Sequence, residues 1–197
     1  PVLVMQSTGG VLPLDHAVRH AVGAVTSGPA GGAMAGALFA NLTNESRVVT
    51  YDMGGTSTDI CLIENGKPLE RQETQLGEVK IAIPALDISA LGAGGGSIAW
   101  IDPGGILDLG PHSAGASPGP ACYGQGGMQP TLTDANLVLG LIAAETFLGG
   151  RLSLNRSHAV KAIEEHVAGP LELSVEEAAL AINALASARI AEGMRAN

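Results

Sequence analysis

The stretch Val48-Val49-Thr50-Tyr51-Asp52-Met53-Gly54-Gly55-Thr56-Ser57-Thr58-Asp59-Ile60 decides how this chain folds and what it binds. A strand rich in β-branched residues leads Asp52 into a turn with two glycines, three hydroxyl side chains and a second carboxylate, Asp59. Another apolar strand follows from Ile60 to Ile63. Glycines let backbone N–H groups approach an anion closely, and hydroxyls add further donors. Because a carboxylate repels phosphate, Asp52 and Asp59 fit beside a phosphate only if Mg²⁺ lies between them.

The turn therefore predicts a magnesium–nucleotide site that uses no lysine. It is not a P-loop, since the pattern G-x-x-x-x-G-K-[ST] is absent. The alternative is a tight hairpin that is merely polar, although a plain hairpin needs only one or two special turn residues. A separate alternative concerns Asp59, whose side chain could instead hydrogen-bond within the turn.

Composition narrows the class of protein. Of 197 residues, 46% are hydrophobic and 15% charged, so the chain can bury a core and is not disordered. The net charge of -9 argues against a nucleic-acid partner. The two cysteines, Cys61 and Cys122, fit a reducing compartment, and no signal peptide or long apolar span is evident. We expect a cytoplasmic protein with no membrane contact. Pro1 in place of Met, and a C-terminal helix without a cap, predict a piece of a longer polypeptide.

The pattern around the turn predicts an α/β fold with an antiparallel meander of strands 47–52, 60–64 and 67–74. Asn65-Gly66 between the last two strands is the preferred type I′ turn pair. A strand at 2–6 and helices at 14–21 and 27–42 precede the meander. Apolar residues continue through 79–91. A second glycine-rich segment, Gly92 to Ser97, then follows.

The rest of the chain differs in character. Residues 101–132 are rich in Gly and Pro and predict a long functional loop. Helices are predicted at 133–144, 157–168 and from Ser174 onward, the last opened by a Ser174-x-x-Glu177 capping box. The predicted organisation is an α/β core at 1–100, the loop at 101–132 and a helical segment at 133–197.

Other candidate residues each have a structural alternative. Gly94, Gly95, Gly96 and Ser97 suit either a phosphate nest or a place where two backbones touch. His112, next to Ser113 in the loop, fits acid–base chemistry near neutral pH or a plain surface position.

Two further residues are ambiguous in the same way. Cys122 fits a structural thiol better than a nucleophile, because no base lies near it in sequence. Asp134, together with Asn136, fits the first turn of a helix, where the dipole favours an acid.

Seven segments of the chain resemble the hydantoinase A/5-oxoprolinase family, which also includes ATP-dependent acetone and acetophenone carboxylase subunits. They are Met5-Gln6-Ser7-Thr8-Gly9-Gly10, Ser27-Gly28-Pro29-Ala30-Gly31-Gly32, Asp52-Met53-Gly54-Gly55-Thr56-Ser57-Thr58-Asp59, Gly92-Ala93-Gly94-Gly95-Gly96-Ser97-Ile98-Ala99, Gly110-Pro111-His112-Ser113-Ala114-Gly115-Ala116, Pro118-Gly119-Pro120-Ala121-Cys122-Tyr123-Gly124 and Thr133-Asp134-Ala135-Asn136. They occur in the family's order and cover nearly the whole chain.

The resemblance implies a ribonuclease-H-like lobe of the sugar kinase/Hsp70/actin type, from the middle of a longer subunit. It implies that Asp52 holds Mg²⁺ through water, with Asp59 as a second candidate, and that ATP binds at the turn and at the second glycine segment. The candidate nucleotide residues are Asp52, Gly54, Gly55, Thr56, Thr58, Gly94, Gly95, Gly96 and Ser97. The candidate catalytic residues are His112, Ser113 and Asp134, the last on the resemblance alone.

The implied activity is ATP-dependent hydrolysis of a cyclic amide such as a hydantoin or 5-oxoproline, with a hydantoinase B-like partner subunit or domain. Phosphorylating the amide oxygen would turn the amide carbon into a good electrophile. Two alternatives stay open: a ketone carboxylase subunit of the same family, and a nucleotide-binding assembly module without turnover. The piece on its own is expected to be inactive.

Overall fold

The computed structural model describes residues 1–76 and 78–196, which form two compact units. The first unit contains Pro1–Asp52 and Asp59–Ala90, and the second contains Met53–Thr58 and Leu91–Arg195. The two units are defined by the contacts between residues within each of them. The predicted subdivision at residues 100 and 132 stays a prediction.

The first unit begins with a small hairpin and two helices. β1 (Leu3–Met5) pairs antiparallel with β2 (Val11–Pro13), followed by α1 (Leu14–Arg19), a 3₁₀ turn (Ala21–Ala24) and α2 (Ser27–Thr43). The buried residues of α2 are all alanines: Ala30, Ala33, Ala37 and Ala40. Such a small-residue face lets the helix pack closely, and the predicted helix at 27–42 is confirmed.

Eight strands complete the first unit. They are β3 (Arg47–Met53), β4 (Thr58–Glu64), β5 (Lys67–Pro68), β6 (Glu70–Arg71), β7 (Thr74–Leu76), β8 (Val79–Ile81), β9 (Ala85–Leu86) and β10 (Ile88–Leu91). In the main sheet β4 lies between β10 and β3, and it also pairs antiparallel with β5. Both Asn65 and Gly66 have positive φ, so the predicted type I′ turn between β4 and β5 is confirmed.

The predicted third strand of the meander is wrong as a continuous element. Residues 67–74 form part of three short strands, of which only β5 pairs with β4. β6 pairs with β9, and β7 pairs with β8. The partners of β6 and β7 come later in the chain, so local pattern alone could not separate these strands.

The second unit combines one hairpin with helices. Its elements are β11 (Ser97–Ile101), β12 (Leu107–Ser113), a 3₁₀ turn (Ala121–Tyr123), α3 (Leu132–Val138), a 3₁₀ turn (Phe147–Gly150), α4 (Arg156–Ile163), a π-helical turn (Glu164–Ala168), α5 (Gly169–Leu171) and α6 (Val175–Ala196). β11 and β12 pair antiparallel. The core packs the fully buried Leu109, Ile163, Val167 and Ile182 among small side chains.

Two predictions for this unit need correction and one is confirmed. The predicted loop at 101–132 contains strand β12, whose Gly110-Pro111 pair disguises it, and the helix predicted to reach residue 144 ends at Val138. The capping box is present, since the Ser174 N–H donates to Glu177 Oε2 (2.9 Å) and the Glu177 N–H donates to Ser174 Oγ (3.3 Å).

Strands in antiparallel pairs together with packed helices confirm the α/β class. Across 1–76 and 78–196, no helix is both long and apolar enough to cross a membrane.

Candidate functional site

The turn at Met53–Thr58, in the second unit, presents backbone donors to solvent. The Gly54 N–H closes the turn by donating to the Ser57 carbonyl (2.8 Å). Gly54, Gly55 and Thr56 are exposed. Within the part of the chain that the structure describes, the backbone N–H groups of Gly55 and Thr56 donate to no acceptor. Two adjacent unpaired N–H groups at a glycine turn can bind an anion.

Thr58, at the end of the same turn, has a different environment. It is fully buried, and its hydroxyl donates to the Ala93 carbonyl (2.5 Å). The hydroxyl is therefore committed to holding the turn against the second glycine segment. Nucleotide contact by Thr58 stays a prediction.

The second glycine segment packs directly on the turn through its backbone. The Gly95 N–H donates to the Gly54 carbonyl (3.0 Å), and the Gly96 N–H donates to the Gly55 carbonyl (2.6 Å). The Gly94 N–H donates to Ser97 Oγ (2.9 Å), and the Ser97 N–H donates to the Gly94 carbonyl (3.0 Å).

Glycine is required at residue 94 for steric reasons. A Cβ there would lie 2.7 Å from the carbonyl carbon of Thr56 and 2.8 Å from that of Gly55. The geometry therefore favours the structural alternative for Gly94 to Ser97, in which two backbones touch. The N–H groups of this segment are already bonded. Its contact with nucleotide stays a prediction.

A cavity of about 400 Å³ in the second unit borders both glycine segments. Gly54 and Gly55 line it together with Gly95 and Gly96. Aromatic side chains line another part of its wall, with the ring centroids of Tyr123 and Phe147 5.7 Å apart. A cavity with polar backbone beside aromatic rings can hold a small molecule that has both polar and planar apolar parts.

Asp52 and Asp59 lie in the first unit and line one cavity of about 370 Å³ beside α2. A Cβ on Gly32 of α2 would lie only 3.5 Å from Asp52 Oδ2, so the carboxylate lies close to the helix. Partial burial raises the pKa of Asp59, and the negative charge of Asp52 raises it further. Two interacting carboxylates favour a cation between them.

This donor set fits Mg²⁺, which is usually held by one or two carboxylates and otherwise by water and phosphate oxygens. Among the described residues no group of three or more His, Cys, Asp or Glu side chains converges on a metal position. Metal binding by Asp52 and Asp59 stays a prediction.

The two candidate catalytic residues of β12 differ in environment. His112 is exposed, and no hydrogen bond to its side chain is found in the described chain. Ser113 Oγ accepts from the Gly115 N–H (3.1 Å) and lies 3.4 Å from the Gly55 carbonyl, to which it donates. Ser113 therefore helps to fix the turn. Catalytic roles for His112 and Ser113 stay predictions.

Asp134 is fully buried and accepts four hydrogen bonds. Its Oδ1 accepts from the Cys122 N–H (2.7 Å), and its Oδ2 accepts from the Ala121 N–H (3.2 Å), the Thr131 N–H (2.8 Å) and the Thr131 hydroxyl (2.7 Å). Through these hydrogen bonds Asp134 holds the start of α3 against the turn at 121–123, which is a structural role. This arrangement favours the helix-start alternative, and a catalytic role for Asp134 stays a prediction.

Three residues that complete these arrangements were not predicted from the sequence. Thr131 is the N-cap of α3 and forms a capping box with Asp134, a T-x-x-D pattern that was available in the sequence. Tyr123 and Phe147 are 24 positions apart in the chain, and no sequence signal joins them.

Cys122 is fully buried beside Asp134, which leads to a pH prediction. Burial raises the pKa of the thiol well above its usual range, and the Asp134 carboxylate raises it further. A raised folded-state pKa gives stability that is complete below the unfolded pKa of about 8.5 and is lost as pH rises above it. We therefore expect the free energy of unfolding to fall by about 2 kcal/mol between pH 8 and 10 because of Cys122.

Urea unfolding of the full-length protein at several pH values measures this loss. Cys122→Ala should show a shallower decline at alkaline pH, whereas an exposed-residue control, Gln125→Ala, should keep the wild-type slope. Equal slopes for wild type and Cys122→Ala would show that the thiol is ionised in the folded protein.

Known proteins resemble this chain over almost its whole length. The family model described as "Hydantoinase/oxoprolinase" matches residues 1–197. This chain belongs to the hydantoinase/oxoprolinase family. It is 45% identical over 195 residues to the caprolactamase subunit alpha of Pseudomonas jessenii, covering 99% of this chain and 28% of that protein.

Two solved structures of this family superpose on the chain. The ATP-dependent caprolactamase of Pseudomonas jessenii matches with a TM-score of 0.84 and 43% identity, over 99% of this chain and 28% of that one. A nucleotide-free acetone carboxylase matches with a TM-score of 0.88 and 30% identity, over 98% of this chain and 27% of that one. The fold predicted from the resemblance is thereby confirmed as that of the hydantoinase family. The chain spans little more than a quarter of the length of these relatives.

Proposed function

We propose that this chain is the magnesium- and phosphate-binding part of an ATP-dependent cyclic amide hydrolase. The observation that carries the proposal is the pair of unpaired N–H groups of two exposed residues, Gly55 and Thr56. The carboxylate pair of Asp52 and Asp59 in the first unit supports it, as does the likeness to a caprolactamase described as ATP-dependent. Amide hydrolysis is favoured over ketone carboxylation because the more identical of the two superposed structures is the caprolactamase.

Each residue group has a distinct task in this proposal. The N–H groups of Gly55 and Thr56 donate to phosphate oxygens and hold them in place, which is most of what phosphoryl transfer requires of a protein. Asp52 and Asp59 orient the divalent cation. When bound, ATP supplies the phosphoryl group that activates an amide oxygen. The rings of Tyr123 and Phe147 limit the access of water to their part of the second-unit cavity.

The ring-opening step requires groups beyond these. We propose His112 as an acid–base group, since its imidazole is exposed on β12 and accessible to a bound molecule or a neighbouring protein. The similar caprolactamase protein is named as a subunit, alpha, which supports a complex with a second subunit. A hydantoinase B-like partner would supply the residues that attack the activated carbon.

Phosphate release by the full-length chain with its partner subunit tests the function. We expect Mg²⁺-dependent release to increase at least about tenfold when hydantoin, 5-oxoproline or caprolactam is added, since substrate binding is coupled to the chemistry. Stimulation only by a ketone with bicarbonate would replace the proposal with a carboxylase. Binding of Mg·ATP without stimulated release by any of these compounds would indicate an assembly module.

A further inference from the structure

A second cavity of the first unit, of about 410 Å³, contains a buried hydroxyl that has no partner. Thr74 of β7 lines this cavity and is 5% exposed, and its Oγ1 has no hydrogen-bond partner within residues 1–76 and 78–196. Buried hydroxyls in native proteins are nearly always bonded to protein or to ordered water, so an unpaired one in a cavity wall is open to a polar ligand atom. We call this space the Thr74 cavity.

The charges around the Thr74 cavity favour a neutral ligand. Arg71 lines it, but the guanidinium already donates to the carbonyls of Leu86 and Ile88 and lies 3.4 Å from Asp87. Its positive charge is therefore compensated within the protein. Asp59 also lines the cavity, and a carboxylate can accept hydrogen bonds. The walls thus offer a donor and an acceptor with no spare positive charge for an anionic group.

The rest of the cavity wall is partly polar, with Thr26, Gln75 and Ser89, and partly apolar. Pro29 of α2, Ala85 and Leu86 of β9, and Ile88 and Ala90 of β10 supply carbon surface. The volume lies within the range of about 300–1,000 Å³ that small-molecule sites occupy. A ligand that fits these walls has methylene groups or a flat ring on one side and adjacent acceptor and donor atoms on the other.

We propose that the Thr74 cavity is the subsite for an uncharged cyclic amide, whose carbonyl accepts from the Thr74 hydroxyl and whose N–H faces Asp59. This deepens the proposed function and rests on it. Asp59 lines both the Thr74 cavity and the cavity beside α2, so the amide would bind next to the carboxylate pair that would hold the cation. Rings that carry a carboxylate, such as 5-oxoproline, bind less well than hydantoin because they would place a negative charge near Asp59.

Calorimetric titration of the full-length protein with hydantoin, without nucleotide, tests the subsite. Thr74→Val keeps the shape but removes the hydroxyl and should weaken hydantoin binding about tenfold, whereas Thr74→Ser should stay within about threefold of wild type. With the partner subunit present, Thr74→Val should raise the KM for hydantoin and leave the KM for ATP unchanged. Equal hydantoin affinity in wild type, Thr74→Val and Thr74→Ser would overturn the proposal, as would 5-oxoproline binding as tightly as hydantoin.

A second variant covers the case in which Thr74→Val does not fold. Ala90 is exposed at the edge of the cavity, and Ala90→Leu should fill the space and weaken hydantoin binding at least about tenfold with ATP binding unchanged. Unchanged hydantoin affinity in Ala90→Leu, or no binding of hydantoin to wild type at 20 mM, overturns the subsite. Failure of the proposed function can be told apart from failure of the subsite. The first appears as absent ATP-dependent phosphate release, whereas the second is decided by hydantoin binding without nucleotide.

Discussion

Replacing Asp52 with Ala is expected to lower Mg²⁺-dependent phosphate release by at least about 100-fold in the full-length protein with its partner. One carboxylate of the cation pair is lost, and Asp59 alone would hold the ion less tightly and less well oriented. Removing one preorganised electrostatic group from a reacting centre typically costs about 100-fold or more in rate. Phosphate release measured over a range of Mg²⁺ concentrations gives both the rate and the apparent metal affinity.

Asp15→Ala is the matched control, because Asp15 is an exposed carboxylate of α1 in the same unit. It should leave release within about twofold of wild type, as expected for a surface substitution. Asp52→Asn separates charge from shape: it should lose most of the activity and most of the Mg²⁺ dependence. If Asp52→Ala folds normally and releases phosphate at the wild-type rate, Asp52 does not belong to the site.

Local chemistry in the sequence was enough to predict several elements. The Asn65-Gly66 turn is set by two adjacent residues that tolerate positive φ. The start of α6 is set by Ser174 and Glu177, three residues apart. In each case the interacting groups are neighbours in the chain, so the pattern and the structure carry the same information.

Other elements depend on partners that the pattern does not reveal. Residues 70–76 look like part of one strand with 67–68, yet β6 and β7 pair with strands that come later in the chain. Leu107–Ser113 contains Gly110-Pro111, which is typical of a loop, yet pairing with β11 makes it a strand. Tertiary pairing overrides local preference in both segments.

The sequence is likewise insufficient to rank the residues of the candidate site. Composition identified the glycine segments at 54–55 and 94–96, but only the structure shows that the N–H groups of Gly95 and Gly96 are bonded while those of Gly55 and Thr56 are unpaired. Thr74 carried no signal at all, because one threonine among polar residues is unremarkable until its burial is known. Burial and hydrogen-bond partners are properties of the fold, so residue type alone could not rank these positions.

Replacing Asp134 with Ala is expected to destabilise the protein severely. The substitution would leave three buried N–H groups, those of Ala121, Cys122 and Thr131, and the Thr131 hydroxyl without their acceptor. Each buried unpaired group costs about 1–3 kcal/mol, so the total is at least about 4 kcal/mol, a large part of a typical domain's stability. We expect the thermal midpoint of the full-length protein to fall by roughly 10 °C or more, or soluble protein to be lost.

Asp134→Asn distinguishes the structural role from a catalytic one. It keeps the shape and one acceptor oxygen, so the thermal midpoint should fall less than for Asp134→Ala, and protein that is folded should still release phosphate. Glu192→Ala, at an exposed position of α6, should change the unfolding free energy by no more than about 0.5 kcal/mol. An Asp134→Asn protein with a wild-type midpoint but no phosphate release would reverse this assignment, because the four donors would then matter less than the negative charge, as a catalytic carboxylate requires.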